Sequence, residues 1–382
     1  MRARLLMRPV FAACLASCLA VGAVGAVALG ADGAAVLRTD HAADGNRVAS
    51  GRGPVGSWVD IELEERAAWI LPSPSVPGAD WIIATPDGRV LRVSESGRLT
   101  SLDSLPPGVA PVVELDEAGE IVVSEADAAL GGLEGALPDA RLVTTSDGHR
   151  VALTDATARS SHGVLGDELE AASLTILGPA GSRRVVEIDH PAVIEGIAPI
   201  AADLDSDGAD ELIVTVSDDR DGARLRAYAT DGSLVAESQA IGRGFRWRHQ
   251  IGAGAVGPDG EIELLSVRTP HIGGIVEAFR LVGDRLELVA TAGGFSSHRI
   301  GSANLDMALL ADVDGDDRLE LVVPTDEMTA LGVLRRTPDG FEVVALLPLG
   351  ARLVTNVAAT MDPGGGLVLA AGTDDGRLRV FR

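Results

Sequence analysis

The 382-residue sequence contains no lysine: all 32 of its basic residues are arginine. This excludes a Schiff-base lysine, a pyridoxal-type active site and a phosphate-loop lysine. Aromatics make up only 3% of the chain, with a single tyrosine, Tyr228. Cysteine is confined to Cys14 and Cys18. Removal of the N-terminal segment that carries them would exclude disulfides, thiol nucleophiles and cysteine metal sites together. Neither a Gly-x-Ser-x-Gly elbow nor a His-Glu-x-x-His zinc motif occurs. Positive charge is scarce, and 56 acidic residues bring the formal net charge to −24. A surface this acidic repels phosphate backbones, which argues against nucleic acid as a partner. What is abundant is hydrophobicity, at 46%, which a disordered chain lacks, and glycine, at 46 residues.

Arg2, Arg4 and Arg8 precede an uncharged, mostly apolar run from Pro9 to Gly30. This pattern reads as a secretory signal, with Ala28-Leu29-Gly30 before the cut at Ala31. The run, at roughly 20 residues, would also span a bilayer, so an uncleaved anchor stays open. Leu15-Ala16-Ser17-Cys18 is similar to a lipoprotein box, a third alternative. The expected organisation is a signal over 1–30, a flexible linker over 31–56 and one folded domain over 57–382. All three readings export the protein to the periplasm or beyond, with membrane contact only through an anchor or lipid.

From about Trp58 onward, short apolar runs alternate with turn signals, and no long helical period occurs. Asp-Gly pairs such as Asp147-Gly148, Asp231-Gly232 and Asp339-Gly340 suit tight hairpin turns. This predicts an all-β sandwich, barrel or propeller, and internal repetition separates them. The stretch Asp203-Leu204-Asp205-Ser206-Asp207-Gly208-Ala209-Asp210-Glu211 is echoed by Asp312-Val313-Asp314-Gly315-Asp316-Asp317-Arg318-Leu319-Glu320. A weaker copy runs from Ala255 through Asp259 and Gly260 to Glu263. Their spacing, about 50 residues, is that of a four-stranded propeller blade.

Asp-x-Asp-x-Asp-Gly-x-x-Glu between two β runs resembles the FG-GAP/VCBS repeat of integrin α-subunit propellers and many exported bacterial proteins. Residues 159–167, Arg246-Trp247 and His298-Arg299-Ile300-Gly301 further resemble an uncharacterised group of bacterial VCBS-repeat proteins. The resemblance implies a β-propeller of six or seven four-stranded blades. Four strands per blade fit from about Ala140 to the end, and Trp58 to Pro138 holds one or two less readable blades. The last blade lacks its outer strand, which a segment near Trp58–Glu64 would supply, closing the ring with an N-terminal strand.

Carboxylates crowded at positions 1, 3 and 5 repel one another unless a hard dication gathers them, and calcium prefers six to eight oxygens. The first loop offers Asp203, Asp205, Asp207, Glu211 and the carbonyl of Ala209. The second offers Asp312, Asp314, Asp316, Glu320 and the carbonyl of Arg318, with Asp317 where glycine is expected. Two calcium sites are expected, and the resemblance implies that they are structural. The third copy has Ala255 and Gly257 in ligand positions and reads as a metal-free turn.

Alternation of loops between two faces puts the acidic loops on one side and most Arg and His residues on the other. That second face would gather Arg159, His162, His190, Arg243, Arg246, Trp247, Arg248, His249, His271, His298 and Arg299. Arginine and tryptophan are enriched at binding hot spots, and arginine clamps carboxylates bidentately. The face is expected to recognise a protein or an anionic glycan or small molecule, so the chain reads as a non-catalytic recognition or scaffold module. Ordinary loop residues paired to local acids, in a purely structural module, are the plainer alternative. A carbohydrate-active lyase or hydrolase using His249, His271 or His298 as general base is another.

Overall fold

The computed structural model describes residues 43–382 apart from 77, 108–110, 116–119, 126–132, 160–168, 245 and 303, together with Ala28–Leu29 and Ala35–Val36. The other residues before position 43, where the signal was expected, and His162 lie outside the described residues. Among the described residues there is no helix, and the fold is all-β.

The chain repeats one unit, a meander of four antiparallel strands. The first sheet is Trp69–Pro72, Trp81–Ala84, Arg89–Val93 and Leu99–Ser104. A hairpin of Pro111–Leu115 and Ile121–Glu125 follows. The second sheet is Val143–Thr144, Arg150–Thr157, Glu170–Leu177 and Arg183–Glu187. The third is Val193–Ala202, Glu211–Ser217, Arg224–Tyr228 and Leu234–Ser238. The fourth is Arg248–Ala255, Ile262–Arg268, Ile275–Val282 and Arg285–Gly293. The fifth is Leu309–Asp312, Glu320–Pro324, Ala330–Thr337 and Gly340–Pro348. The sixth is Leu353–Met361, Leu367–Thr373 and Arg377–Phe381, completed by Trp58–Glu62 from the other end of the chain. That N-terminal strand pairs antiparallel from Phe381 opposite Trp58 to Arg377 opposite Glu62. The second, third and fourth sheets join at their edges into one continuous curled sheet.

Burial falls from the first two strands of each unit to the fourth. Glu211–Ser217 and Leu367–Thr373 are buried at every position, while Gly340–Pro348 is mostly exposed. Strands covered on both faces read as apolar runs, which is why these second strands lack alternation. From the second sheet on, each packs a face on the next, and the sixth packs on the first. Ile213 and Leu225 of the third meet Ala253 and Leu264 of the fourth. Leu265 and Val276 of the fourth meet Leu310 and Leu321 of the fifth. Leu331 and Val333 of the fifth meet Val357 and Leu369 of the sixth, and Ala370 and Leu378 of the sixth meet Ile70 and Trp81 of the first.

Residues 43–56, expected in a flexible linker, are instead bonded across the first strands of successive sheets. The carbonyl of Ala43 accepts from Thr144 N, that of Asp44 from Ala201 N, and that of Arg47 from Leu310 N. The Asn46 amide group donates to Ala253 O at 2.7 Å and accepts from Ala253 N at 2.9 Å. Arg52 N then reaches Gly365 O, and Gly53 N reaches Asp312 O. The segment therefore visits the second to sixth sheets in order and returns to the fifth at Gly53. Its glycines permit the close approach: a Cβ on Gly53 would stand 1.8 Å from Val313 O. Composition hides this role, because a segment rich in glycine and small residues looks like a tether when its partners are far away in sequence.

Arg47 is 4% exposed and anchors the segment. Its guanidinium donates to Ala308 O at 2.6 Å and Val357 O at 2.7 Å, and it lies 3.4 Å from Asp306. Arg141 holds the same carboxylate with bonds of 3.1 and 2.7 Å. Removing one partner of a buried ion pair costs about 3–5 kcal/mol where the other charge is left alone. Asp306 keeps Arg141, so Arg47→Ala should destabilise the protein by roughly 2–4 kcal/mol in urea unfolding. A change below about 0.5 kcal/mol, the range of ordinary surface substitutions, would contradict the anchoring role.

Candidate functional site

The two acidic loops each join the first and second strands of a sheet. In the first, Asp203 accepts from Asp207 N at 3.1 Å and Gly208 N at 2.9 Å, and Glu211 accepts from Leu204 N at 2.8 Å. In the second, Asp312 accepts from Gly315 N at 2.6 Å and Asp317 N at 3.0 Å, and Glu320 accepts from Val313 N at 3.0 Å. Left-handed backbone makes these turns possible. Gly208 has φ of 93°, and Asp317, standing in for glycine, has φ of 67°. Aspartate tolerates that region better than most side chains.

Carboxylate oxygens of Asp203, Asp205 and Glu211 lie within 4.8 Å of one another, as do those of Asp312, Asp314 and Asp316. Asp207 and Glu320 stand outside these close groups: Asp207 accepts from Ala209 N, and Glu320 bonds Arg335. Burial raises the carboxyl of Glu211 above its usual range, helped by the charges of Asp205, Asp207 and Asp203. Burial raises Glu320 as well. An all-oxygen, all-anionic donor set suits a hard dication. In the first loop no cationic side chain bonds these carboxylates among the described residues. The second differs, because Arg335 bonds both Asp314 and Glu320.

The Arg/His set divides into a buried group and an exposed one. Trp247, His249, His271 and His298 come together, from the start of the fourth sheet, the turn after its second strand and the segment after its fourth. Trp247 stacks on His249 with ring centroids 4.6 Å apart and meets His298 edge-on at 5.2 Å. His271 and His298 are 5.0 Å apart by centroid, with Nε2 of the first 2.7 Å from Nδ1 of the second. His298 Nε2 lies 2.7 Å from the carbonyl oxygen of Ser302, which can only accept. The proton of neutral His298 therefore sits on Nε2, and its Nδ1 accepts from His271 Nε2–H. His249 Nδ1 pairs with Ser297 Oγ at 2.8 Å. Ser296 Oγ donates to Pro270 O at 2.8 Å and so ties the two loops together.

These rings do not form the open surface expected of them. Trp247 is 3% exposed, His249 5% and His298 1%. Trp247 packs with Ile197 and Leu305, because large rings placed at the entrance of an inner strand fill space that short neighbours leave. Arg248, also assigned to the face, is buried on Glu277 at 2.7 Å. Arg159 is half-buried and donates to Ile188 O at 3.0 Å, apart from the cluster. Arg243, Arg246, Arg299 and His190 remain exposed, as do Ile272 and Ile300. Sequence reading missed Arg47, Arg141 and Asp306 at the inner strands, and Arg280, Arg335 and Arg336 beside the turns. Only the strand register, which places Arg280 and Arg335 opposite the loop glutamates, could have signalled any of them.

Desolvation holds His298 down at about 4, and drives His249 well below the usual histidine range. A base whose folded pKa is depressed binds fewer protons in the folded state than in the unfolded one. Stability then rises with pH across the window between the two pKa values. The contribution of His298 is fully present above pH 6.5 and is lost progressively as pH falls toward 4. At about 1.4 kcal/mol per unit this amounts to on the order of 3 kcal/mol. Unfolding between pH 7 and 4 should show this loss, and His298→Gln should flatten the dependence. An unchanged slope in that variant would contradict the assignment.

No family model matches the chain, and no curated protein does. Among solved structures, virginiamycin B lyase from Staphylococcus aureus is similar at 12% identity and a TM-score of 0.44, over 85% of this chain and 98% of that one. A streptogramin B lyase is similar at 11% identity and a TM-score of 0.43, over 85% of this chain and 97% of that one. Chaetomium thermophilum Raptor aligns at 11% identity with a TM-score of 0.48, over 87% of this chain but 29% of that one. At such values these are distant likenesses, and no activity is carried from them to this chain.

Proposed function

We propose that the chain is an exported, calcium-stabilised β-propeller acting as a non-catalytic recognition or scaffold module. The repeated four-stranded unit and the pairing of Trp58–Glu62 with the C-terminal strand support a closed ring. The resemblance of the Asp-x-Asp-x-Asp-Gly-x-x-Glu turns to FG-GAP/VCBS repeats supports the same architecture. The observation that carries the calcium reading is the grouping of Asp203, Asp205 and Glu211 carboxylates in a loop with no cationic partner among the described residues. Bound there, calcium would supply the missing positive charge and lock the turn between two inner strands.

Burial of His249 and His298, with their bonded nitrogens committed to Ser297, His271 and Ser302, favours a packed support over a catalytic base. The surface left for a partner is the exposed fringe around it, Arg246, Arg299, Ile272 and Ile300. Arginine forks beside apolar side chains suit a carboxylate-bearing ligand, such as an acidic glycan or an acidic peptide.

Calcium at about 100 times its dissociation constant stabilises a folded protein by about 2.7 kcal/mol. Calcium should therefore raise the melting temperature, EGTA should lower it again, and Asp205→Ala should abolish the difference. A melting temperature indifferent to EGTA would refute the calcium reading. For the recognition face, polyuronate oligosaccharides on an array should retain the wild-type protein and lose the Arg246→Ala/Arg299→Ala double variant. Retention equal in the two proteins would place recognition elsewhere.

A further inference from the structure

The turn between first and second strands recurs in three successive sheets, and each ends in a buried glutamate: Glu211 at 5% exposure, Glu263 at 0% and Glu320 at 0%. Three carboxylates in equivalent places raise the same electrostatic demand, since a buried charge without a counter-charge is costly. The structure answers it differently each time.

The difference lies on the neighbouring third strand. In the third sheet Leu212 pairs with Tyr228, in the fourth Leu264 pairs with Phe279, and in the fifth Leu321 pairs with Leu334. One step further along each register, the residue opposite the glutamate is Ala229, Arg280 and Arg335 respectively. Both arginines use the position. Arg280 donates to Glu263 at 2.7 Å and reaches Glu261 at 3.0 Å. Arg336 completes the neutralisation of Glu263 from the next sheet, with bonds of 2.7 and 3.1 Å. Arg335 donates to Glu320 at 3.1 and 3.0 Å, bonds Asp314, and lies 3.5 Å from Asp316. Its guanidinium thus sits among the carboxylates that a dication would have to gather. Ala229 can offer nothing of the kind to Glu211, Asp203 or Asp205.

We propose that this one cross-strand position selects the counter-ion of the turn. Alanine at 229 leaves the first loop to a divalent cation, whereas Arg335 is the built-in cation of the second. Arg280, with Arg336, serves the third turn, whose ligand positions have been lost. The inference rests on the calcium reading for its first half and stands on Arg335 for its second. It revises the expected two sites to one, and it explains how the second loop keeps its full acidic motif while holding a guanidinium.

The test is a calcium titration by calorimetry of the metal-stripped protein, paired with melting curves in EDTA. Wild type should bind one calcium per chain, Arg335→Met two and Ala229→Arg none. In EDTA, Ala229→Arg should melt above wild type and Arg335→Met below it, because each changes the resident counter-charge. Two calcium ions in wild type, unchanged in Arg335→Met, would overturn the inference and leave the calcium reading standing. No calcium bound by any of the three proteins would refute the calcium reading. The inference would then be judged by the EDTA curves, and an unchanged melting temperature in both variants would overturn it.

Discussion

A carboxylate buried at the head of an inner strand needs a positive charge within bonding distance, and much of this fold is arranged around that demand. Glu263 and Glu320 meet it with arginine from the adjacent strand. Glu277 does so with Arg248 and Arg268, and Asp306 with Arg47 and Arg141. In a chain without lysine, each resident cation is a guanidinium, whose fork can hold both a carboxylate and backbone carbonyls. Glu211 stands apart, with neighbouring aspartates and no such partner among the described residues.

Backbone bonding joins the sheets as well: the segment from Ala43 to Gly53 lies across the first strands of successive sheets. It bonds strands that are otherwise separated by whole sheets, so local sequence contacts are converted into long-range ones. The Asp306 pair fixes this segment from within. Toward the other loops, Trp247, His249 and His298 are buried together. Arg246, Arg299, Ile272 and Ile300 are exposed around that packing.

Much of the architecture was legible in the sequence because each repeat carries its own punctuation. The strand boundaries from Arg150 to Phe381 follow the apolar runs and Asp-Gly turns to within a few residues, and the pairing of Trp58–Glu62 with the last strand was expected from the missing outer strand. The sheet at Trp69–Ser104 was less readable, since its turns lack the acidic motif. The segment from Ala43 to Gly53 could not be read, because its glycines and small residues serve partners up to several sheets away. Burial of Trp247, His249 and His298 was hidden for a related reason. Loop assignment tells which face a residue is near, but not whether its ring turns inward. The guanidinium in the second acidic loop was missed because motif spacing records the loop and not the strand opposite it.

The central claim is that charge in these turns is balanced by a metal in one case and by arginine in the other. Anomalous diffraction from calcium-soaked crystals reads both turns at once. The account predicts a calcium peak among Asp203, Asp205 and Glu211, and the Arg335 side chain in place without metal among Asp314, Asp316 and Glu320. A peak in the second loop with Arg335 displaced, or metal there and none in the first, would contradict it.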